Sequence, residues 1–138
     1  MLFSKTITVP ADTAASAKVT EKIKISRGVI HQVGVLFPDG CNGMVKVTLH
    51  DGGHQFSPST EGMDYIGSGQ LVLGQEHYKP EAGTNQIAVK AWSPDTTYNH
   101  EITVYLWILP ENILLPTLIF LDIRNALILL LRKIGVKV

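Results

Sequence analysis

Cysteine is nearly absent from this 138-residue sequence, and charged residues are scarce, at 17% of the chain. Because Cys41 stands alone, no disulfide can form within the chain. It lies in a Pro-Asp-Gly-Cys-Asn-Gly turn, with no flanking cation to lower the pKa of its thiol. The sequence therefore offers neither a disulfide scaffold nor a thiol nucleophile, and Cys41 is interpreted as a small loop residue.

An excess of either charge is also missing, because 12 Lys and Arg residues balance 12 Asp and Glu residues. A strongly basic chain would indicate a nucleic-acid surface, and a strongly acidic one a disordered segment. We therefore expect no direct nucleic-acid partner. A net charge near zero also favours association over a free soluble monomer. The first ten residues, MLFSKTITVP, lack the apolar region of a signal peptide, so none is predicted.

Catalytic signatures are lacking as well. The sequence contains no Gly-x-Ser-x-Gly elbow and no phosphate-cradling Gly-x-x-x-x-Gly-Lys motif. Its serine candidates lie in loops. The acidic loop residues show no regular calcium-binding spacing; they are Asp39, Asp51, Glu61, Asp64 and Asp95. We expect a protein that is not an enzyme and that needs no cofactor.

The pattern His50-Asp51-Gly52-Gly53-His54 is the one candidate for a metal site. On a helix this His spacing would chelate zinc, but here it straddles a Gly-rich turn. The two rings would meet only across a hairpin, with Asp51 as the third ligand. A solvated turn is the favoured interpretation, and metal binding is left open.

Residues 3–109 predict strands throughout, because apolar and polar side chains alternate and β-branched residues are frequent. Clusters of Gly, Pro, Asp and Ser separate these runs and predict turns. No helical period appears before Pro110. The predicted strands are Lys5–Val9, Lys18–Ser26, Val29–Phe37, Met44–His50, Gln86–Trp92 and Glu101–Leu109, with weaker ones at His54–Phe56, Met63–Ile66, Leu71–Leu73 and Glu76–Lys79.

This pattern predicts a mainly β protein: an antiparallel β-sandwich, jelly-roll-like with about eight strands, followed by a C-terminal apolar α-helix. We expect the sandwich domain in residues 1–110 and a hydrophobic helical tail for assembly in residues 111–138.

The last predicted strand has two apolar faces. Opposite its inward residues it carries Thr103, Tyr105 and Trp107, where a solvated face would carry charge. An aromatic second face predicts cover by the tail, by another subunit or by a ligand, although cover by the chain's own loops is equally compatible with the pattern. Tyr105 and Trp107 are therefore predicted interface residues.

The tail shows a helical period from Leu118 to about Ile134, with Thr117 as a possible N-cap and Gly135 as a C′ residue. Its apolar face spans more than half the circumference, wider than one core requires. It is predicted to bundle with copies of itself and with other particle proteins; burial in a monomer and contact with a membrane are the alternatives. The predicted interface residues are Ile119, Phe120, Ile123, Leu127, Leu130 and Leu131.

Aromatic residues near turns permit another function. Trp92 precedes a Ser-Pro-Asp turn and Tyr98 follows it, so both are candidates to stack on sugar rings, as in carbohydrate-binding β-sandwich modules. The competing interpretation is that Trp92 closes the end of the core. The alternatives to assembly are thus a ligand-binding module and a membrane-anchored surface protein.

Residues 5–109 combine short strands, frequent turns, a neutral charge and no catalytic set. The segments Gly53–Ser59 and Ala91–Asp95 look like parts of uncharacterised phage-encoded proteins. In this organisation the chain resembles the small β-sandwich or jelly-roll structural proteins of viral particles, such as minor capsid, penton or decoration subunits of phages. The resemblance implies a virion component in a symmetric oligomer, without a cofactor.

Overall fold

A computed structural model describes residues 1–111 and 116–136, and within the helix the described side chains begin at Phe120. Within these residues eight strands precede one α-helix, and a short 3-10 helix, Ala15–Ala17, leads into the second strand. The strands are β1 (Leu2–Val9), β2 (Val19–Lys24), β3 (Val29–Phe37), β4 (Lys46–Asp51), β5 (His54–Ser57), β6 (Gln70–Tyr78), β7 (Gln86–Trp92) and β8 (His100–Leu109), and the helix α1 spans Pro116–Lys133.

The strands form two antiparallel four-stranded sheets in the order β1-β8-β3-β6 and β2-β7-β4-β5. Consecutive strands mostly alternate between the sheets, and the first strand pairs with the last along its length. This is the strand order of a jelly roll, in which two Greek keys close over one core. The predicted β-sandwich with about eight strands and a C-terminal helix is confirmed.

The core lies between the sheets and is built by the period-two alternation of the strands. Alternate residues of β3 and β8 point inward and are fully buried. Strands from both sheets contribute to one continuous apolar cluster. Its largest fully buried side chains include Phe37, Ile30, Leu49, Ile87, Ile102, Leu106 and Ile108.

Several predicted strand limits differ from the structure. The two weak strands at Leu71–Leu73 and Glu76–Lys79 are one strand, β6. Residues 63–66 form no strand; Tyr65 makes only an isolated bridge to Val47. Glu21 lies on the inward side of β2, where the alternation predicts an apolar residue, and the Nζ of Lys5 lies 2.7 Å from its carboxylate. These differences arise from tertiary pairing, which local patterns do not contain.

The helix ends as its sequence predicts. Gly135 has a φ of +83°, a left-handed conformation that glycine adopts without strain. The amide of Gly135 donates to the carbonyl of Arg132, and the amide of Val136 donates to that of Leu131. This is a Schellman cap, which satisfies the last carbonyls of the helix. The side chain of the predicted N-cap residue, Thr117, lies outside the described residues.

The carboxylate of Asp51 ties two connections together at one end of the sandwich. It accepts hydrogen bonds from the hydroxyl of Tyr78 at 2.9 Å, the amide of Glu81 at 3.1 Å and the hydroxyl of Thr84 at 3.1 Å. Asp51 ends β4, whereas its three donors lie at the end of β6 and in the connection to β7. The buried carboxylate therefore links the two sheets through the chain that joins them.

Replacing Asp51 with Ala is expected to leave three donors without their acceptor. Because hydrogen bonds to charged groups are the stronger ones, we expect the free energy of unfolding to fall by about 2 to 4 kcal/mol. Urea denaturation monitored by circular dichroism measures this change. Glu61→Ala, which removes an exposed acidic residue, is the matched control and should change stability by less than about 0.5 kcal/mol. Equal effects of the two substitutions would refute the role assigned to Asp51.

The same contact controls the ionisation of Tyr78. Burial, the hydrogen bond to Asp51 and the charge of Asp51 raise the pKa of Tyr78 to about 12. In the unfolded chain a tyrosine titrates at about 10. Folding therefore favours the neutral phenol, and this contribution is complete below pH 10 and is lost as the pH rises through about 12.

We expect the stability of the wild type to fall more steeply between pH 10 and pH 12 than that of Tyr78→Phe, which has no phenol to ionise. Urea denaturation of both proteins at several pH values in this range measures the two slopes. Parallel slopes would show that the phenol of Tyr78 does not keep its proton in the folded state.

Candidate interaction surfaces

The outer face of the sheet β1-β8-β3-β6 is apolar. The outward side chains of β3 and β6 include Leu36, Leu71 and Leu73, and all three are exposed. Tyr105 and Trp107 stand beside them on β8, with ring centres 5.8 Å apart. We call these five residues the apolar sheet face. The predicted aromatic second face of β8 thus exists, and the register extends it across two further strands.

Gly34 lies under the centre of the apolar sheet face. It pairs with Tyr105 on one side and with Leu73 on the other. A Cβ atom at this position would lie 2.9 Å from a ring carbon of Trp107 and 3.2 Å from a methyl carbon of Leu73. The missing side chain therefore lets the indole lie against the sheet backbone.

Charge is rare on this outer face. Within the four strands of the sheet, the outward positions carry one carboxylate, Glu101, and no Lys or Arg. Aqueous surfaces normally mix apolar residues with charges, and a contiguous apolar patch indicates a contact site.

The C-terminal helix presents a second apolar surface. Five of its residues are spaced 3, 4, 3 and 4 apart, which places them on one stripe of a helix. Their exposed fractions range from 54% for Leu127 to 70% for Phe120. We call this stripe the helix seam; it consists of Phe120, Ile123, Leu127, Leu130 and Ile134.

The described part of the helix is not buried by its own sandwich. Every described residue from Phe120 to Val136 is exposed, apart from the partly buried Ile128 and Leu131. The alternative of a helix well buried within one monomer is therefore wrong for these residues. The predicted interface residue Leu131 is thus partly buried. The side chain of Ile119, which is also a predicted interface residue, lies outside the described residues.

The two candidate sugar-stacking residues differ in exposure. Trp92 is only 6% exposed, and the ammonium of Lys18 lies 3.8 Å from its ring centre. Trp92 also pairs with Lys46 on the outer side of its sheet, so it lies outside the core between the sheets. Tyr98 is exposed, and its hydroxyl donates to the carbonyl of Gly40 at 3.3 Å.

The His50-Asp51-His54 group does not converge as a metal site. The carboxylate of Asp51 is occupied by its three donors, and Nε2 of His50 is 3.0 Å from the hydroxyl of Thr48. Among the described residues no three His, Cys, Asp or Glu side chains lie close enough together to hold a metal ion. Asp51 therefore has a structural role here.

Cys41 is fully buried in the apolar core. Burial and the nearby carboxylate of Asp39 raise the pKa of its thiol, which disfavours the reactive thiolate.

In the part of the chain that the structure describes, none of the helices has the length and apolar character that crossing a membrane requires.

No protein-family model and no curated protein matches the chain. Among solved structures, it is similar to a chain of the cyanophage Pam1 capsid asymmetric unit, with 12% identity and a TM-score of 0.49 over 80% of this chain and 84% of that one. A second similar structure, with 11% identity and a TM-score of 0.36, comes from the disulfide-linked pili of Bacillus endospore appendages and covers 79% of this chain and 90% of that one.

Another similar structure is the hydroxypropylphosphonic acid epoxidase from S. wedmorenis, with 9% identity and a TM-score of 0.39. The match covers 77% of this chain but only 43% of the epoxidase. At these identities and TM-scores the three likenesses assign the chain to no family. A jelly-roll architecture does not by itself select a function.

The position of Gly34 predicts the effect of adding a single methyl group to the apolar sheet face. In Gly34→Ala the new Cβ displaces the indole of Trp107 outward, and we expect a red shift of its fluorescence emission. The measurement is made in a Trp92→Phe background, so that Trp107 is the one emitter. Ser4→Ala, at an exposed outward position of β1, is the control. An unchanged emission maximum in Gly34→Ala would contradict the close packing of Trp107 on Gly34.

Proposed function

We propose that this protein is a non-enzymatic structural subunit of a virion or a similar symmetric assembly, of the minor capsid, penton or decoration type. The observation that carries the proposal is the presence of two exposed apolar surfaces on one chain, the helix seam and the apolar sheet face. Neither surface surrounds a catalytic group, and both have the composition of protein contacts.

The helix seam supports a bundle of identical helices. A 3-4 spacing of apolar residues is the repeat that brings helices together with side chains interlocked. The helix has 18 residues, and most of the stability of a helix in a protein comes from the packing of its apolar face. Burying the seam against copies of itself supplies the stabilisation that the helix does not obtain from its own sandwich.

The width of the apolar surface favours more than two helices in the bundle. Leu121 and Leu129 lie outside the seam and are also exposed. A helix with apolar residues beyond the seam is buried from two sides, as in bundles of three or more helices. The polar residues Asn125 and Arg132 lie at equivalent positions of the repeat and mark the side that stays in water.

The apolar sheet face provides a second contact of a different kind. It is a nearly uncharged face with two aromatic residues, which resembles the centre of a subunit interface. A bundle of helices about a symmetry axis and a separate lateral contact together allow a closed shell or ring. We therefore place the protein in a virion, with copies of itself and other particle proteins as partners.

Introducing charge into the helix seam tests the proposal on the full-length protein. We expect the wild type to be an oligomer of three or more subunits and Ile123→Asp/Leu130→Asp to be a monomer, because the bundle would have to bury two carboxylates from each helix. Size-exclusion chromatography with light scattering measures the subunit number. Asn125→Asp, on the polar side of the same helix, is the control and should retain the oligomer.

Truncation of the chain before Leu114 provides a second variant for the same measurement. The truncated protein should be a soluble sandwich that no longer assembles. If the wild type, the seam variant and the truncated chain all have the same subunit number, the proposal of helix-driven assembly is wrong. Negative-stain images of the wild type should show closed symmetric particles, and open irregular aggregates would count against a virion subunit.

A further inference from the structure

The outer face of the second sheet, β2-β7-β4-β5, is cationic. Lys22 and Lys24 point outward from β2, Lys90 from β7 and Lys46 from β4, and Lys18 directly precedes β2 over the same face. Within these four fully described strands, the outward positions carry no Asp or Glu. We call these five residues the lysine face; they are nearly half of the 12 Lys and Arg residues of a chain whose net charge is zero.

The register spreads the charges over the face instead of clustering them. Lys90 lies between Thr20 and Thr48 in one cross-strand row, and Lys22 pairs with Ala88 in the next row. Successive outward residues on a strand are about 6.6 Å apart and neighbouring strands about 4.8 Å apart. The result is a flat array of ammonium groups separated by short side chains.

Most of these ammonium groups have no acidic partner. Among the described residues, the one ion pair of the lysine face joins Lys46 to Asp64, at 3.7 Å. The acidic residues Asp51 and Glu81 border the face only at one end, where they line a shallow groove with Lys22 and Lys90. Lys22, Lys24 and Lys90 are therefore left to interact with something outside the chain, whereas Lys18 already lies over the ring of Trp92.

The electrostatic effect of the lysines reaches a titratable neighbour on the same face. His50 pairs with Ala88, close to Lys90. Burial is the main cause that lowers the pKa of His50, and the charges of Lys90 and Lys18 lower it further. A positive potential over the sheet is thus consistent with the placement of the lysines.

The remaining side chains indicate what kind of polyanion this face fits. Its one aromatic residue, Trp92, is covered by Lys18 and cannot stack on bases or on sugar rings. Its outward positions carry no large exposed apolar side chain that would enter a lipid layer. Its lysines are point charges on flexible stems, and the exposed Thr20 adds a hydroxyl. Such groups suit phosphates along a duplex and read no sequence.

We propose that the lysine face binds the phosphate backbone of double-stranded DNA without sequence specificity. This inference goes beyond the proposed function and uses the sheet opposite the apolar sheet face. In a shell, the two sheets would then separate protein contacts from nucleic-acid contacts.

The experiment is a fluorescence anisotropy titration of a labelled 30-base-pair duplex with the full-length protein at several salt concentrations. If four lysines each neutralise one phosphate, the slope of log K against log salt concentration is about −3.6. In Lys22→Gln/Lys90→Gln the slope should become shallower by about 1.8 and the affinity at 0.1 M salt should fall at least about tenfold. Lys22→Arg/Lys90→Arg keeps the charge and should retain both the salt slope and the affinity of the wild type.

The control is Lys79→Gln/Lys133→Gln, which removes the same charge from outside the lysine face and should bind almost like the wild type. Light scattering on each variant shows whether the subunit number is unchanged, so that a failure of the proposed assembly is distinguished from a failure of DNA binding. The seam variant Ile123→Asp/Leu130→Asp should still bind DNA through its sandwich.

Three results would overturn the proposal: no binding to the duplex at 20 mM salt, equal losses in the lysine-face variant and in the control, or tighter binding to vesicles of anionic phospholipid than to the duplex. A random-sequence duplex and a second sequence should bind equally, and a strong preference between them would contradict backbone recognition.

Discussion

The structure depends on the alternation of side chains along eight strands, which commits one face of each strand to a shared core. Phe37, Leu49 and Leu106 come from three different strands and are all fully buried between the sheets. Because every second residue satisfies this requirement, the residues between them are free to differ. The sandwich therefore has two outer faces whose chemistry its core does not determine.

The outward side chains of the two sheets differ in chemistry: one outer face is apolar and the other is cationic. One carries Tyr105, Trp107 and leucines from neighbouring strands, whereas the other carries five lysines, of which only Lys46 has an acidic partner within the described residues. A net charge of zero conceals this separation, because the balancing carboxylates lie mainly in loops and at strand ends. Total charge is thus a poor guide to the surface of a two-sheet protein, and the sequence-based expectation of no nucleic-acid partner rested on that total.

Much of the fold could be predicted from the sequence, because strand alternation, turn residues and the helical period are local signals. Gly135 as the helix C′ residue was predictable for the same reason. The strand register was not: nothing local indicates that Gly34 pairs with both Tyr105 and Leu73, or that Lys22 and Lys90 share a face. The aromatic face formed by Tyr105 and Trp107 could be predicted from the sequence because both residues lie on one strand. Leu36, Leu71 and the lysine face were missed because their members come from different strands.

The pairing of β1 with β8 has a consequence for the order of events during synthesis. Within the described residues the first strand pairs in its sheet with the last one alone, so the sandwich cannot close until Leu109 has been made. Such long-range pairing is slow compared with the formation of a helix. The helix, which follows β8, emerges from the ribosome after every strand. The order of the elements therefore delays exposure of the apolar helix until the strands of its own sandwich are available.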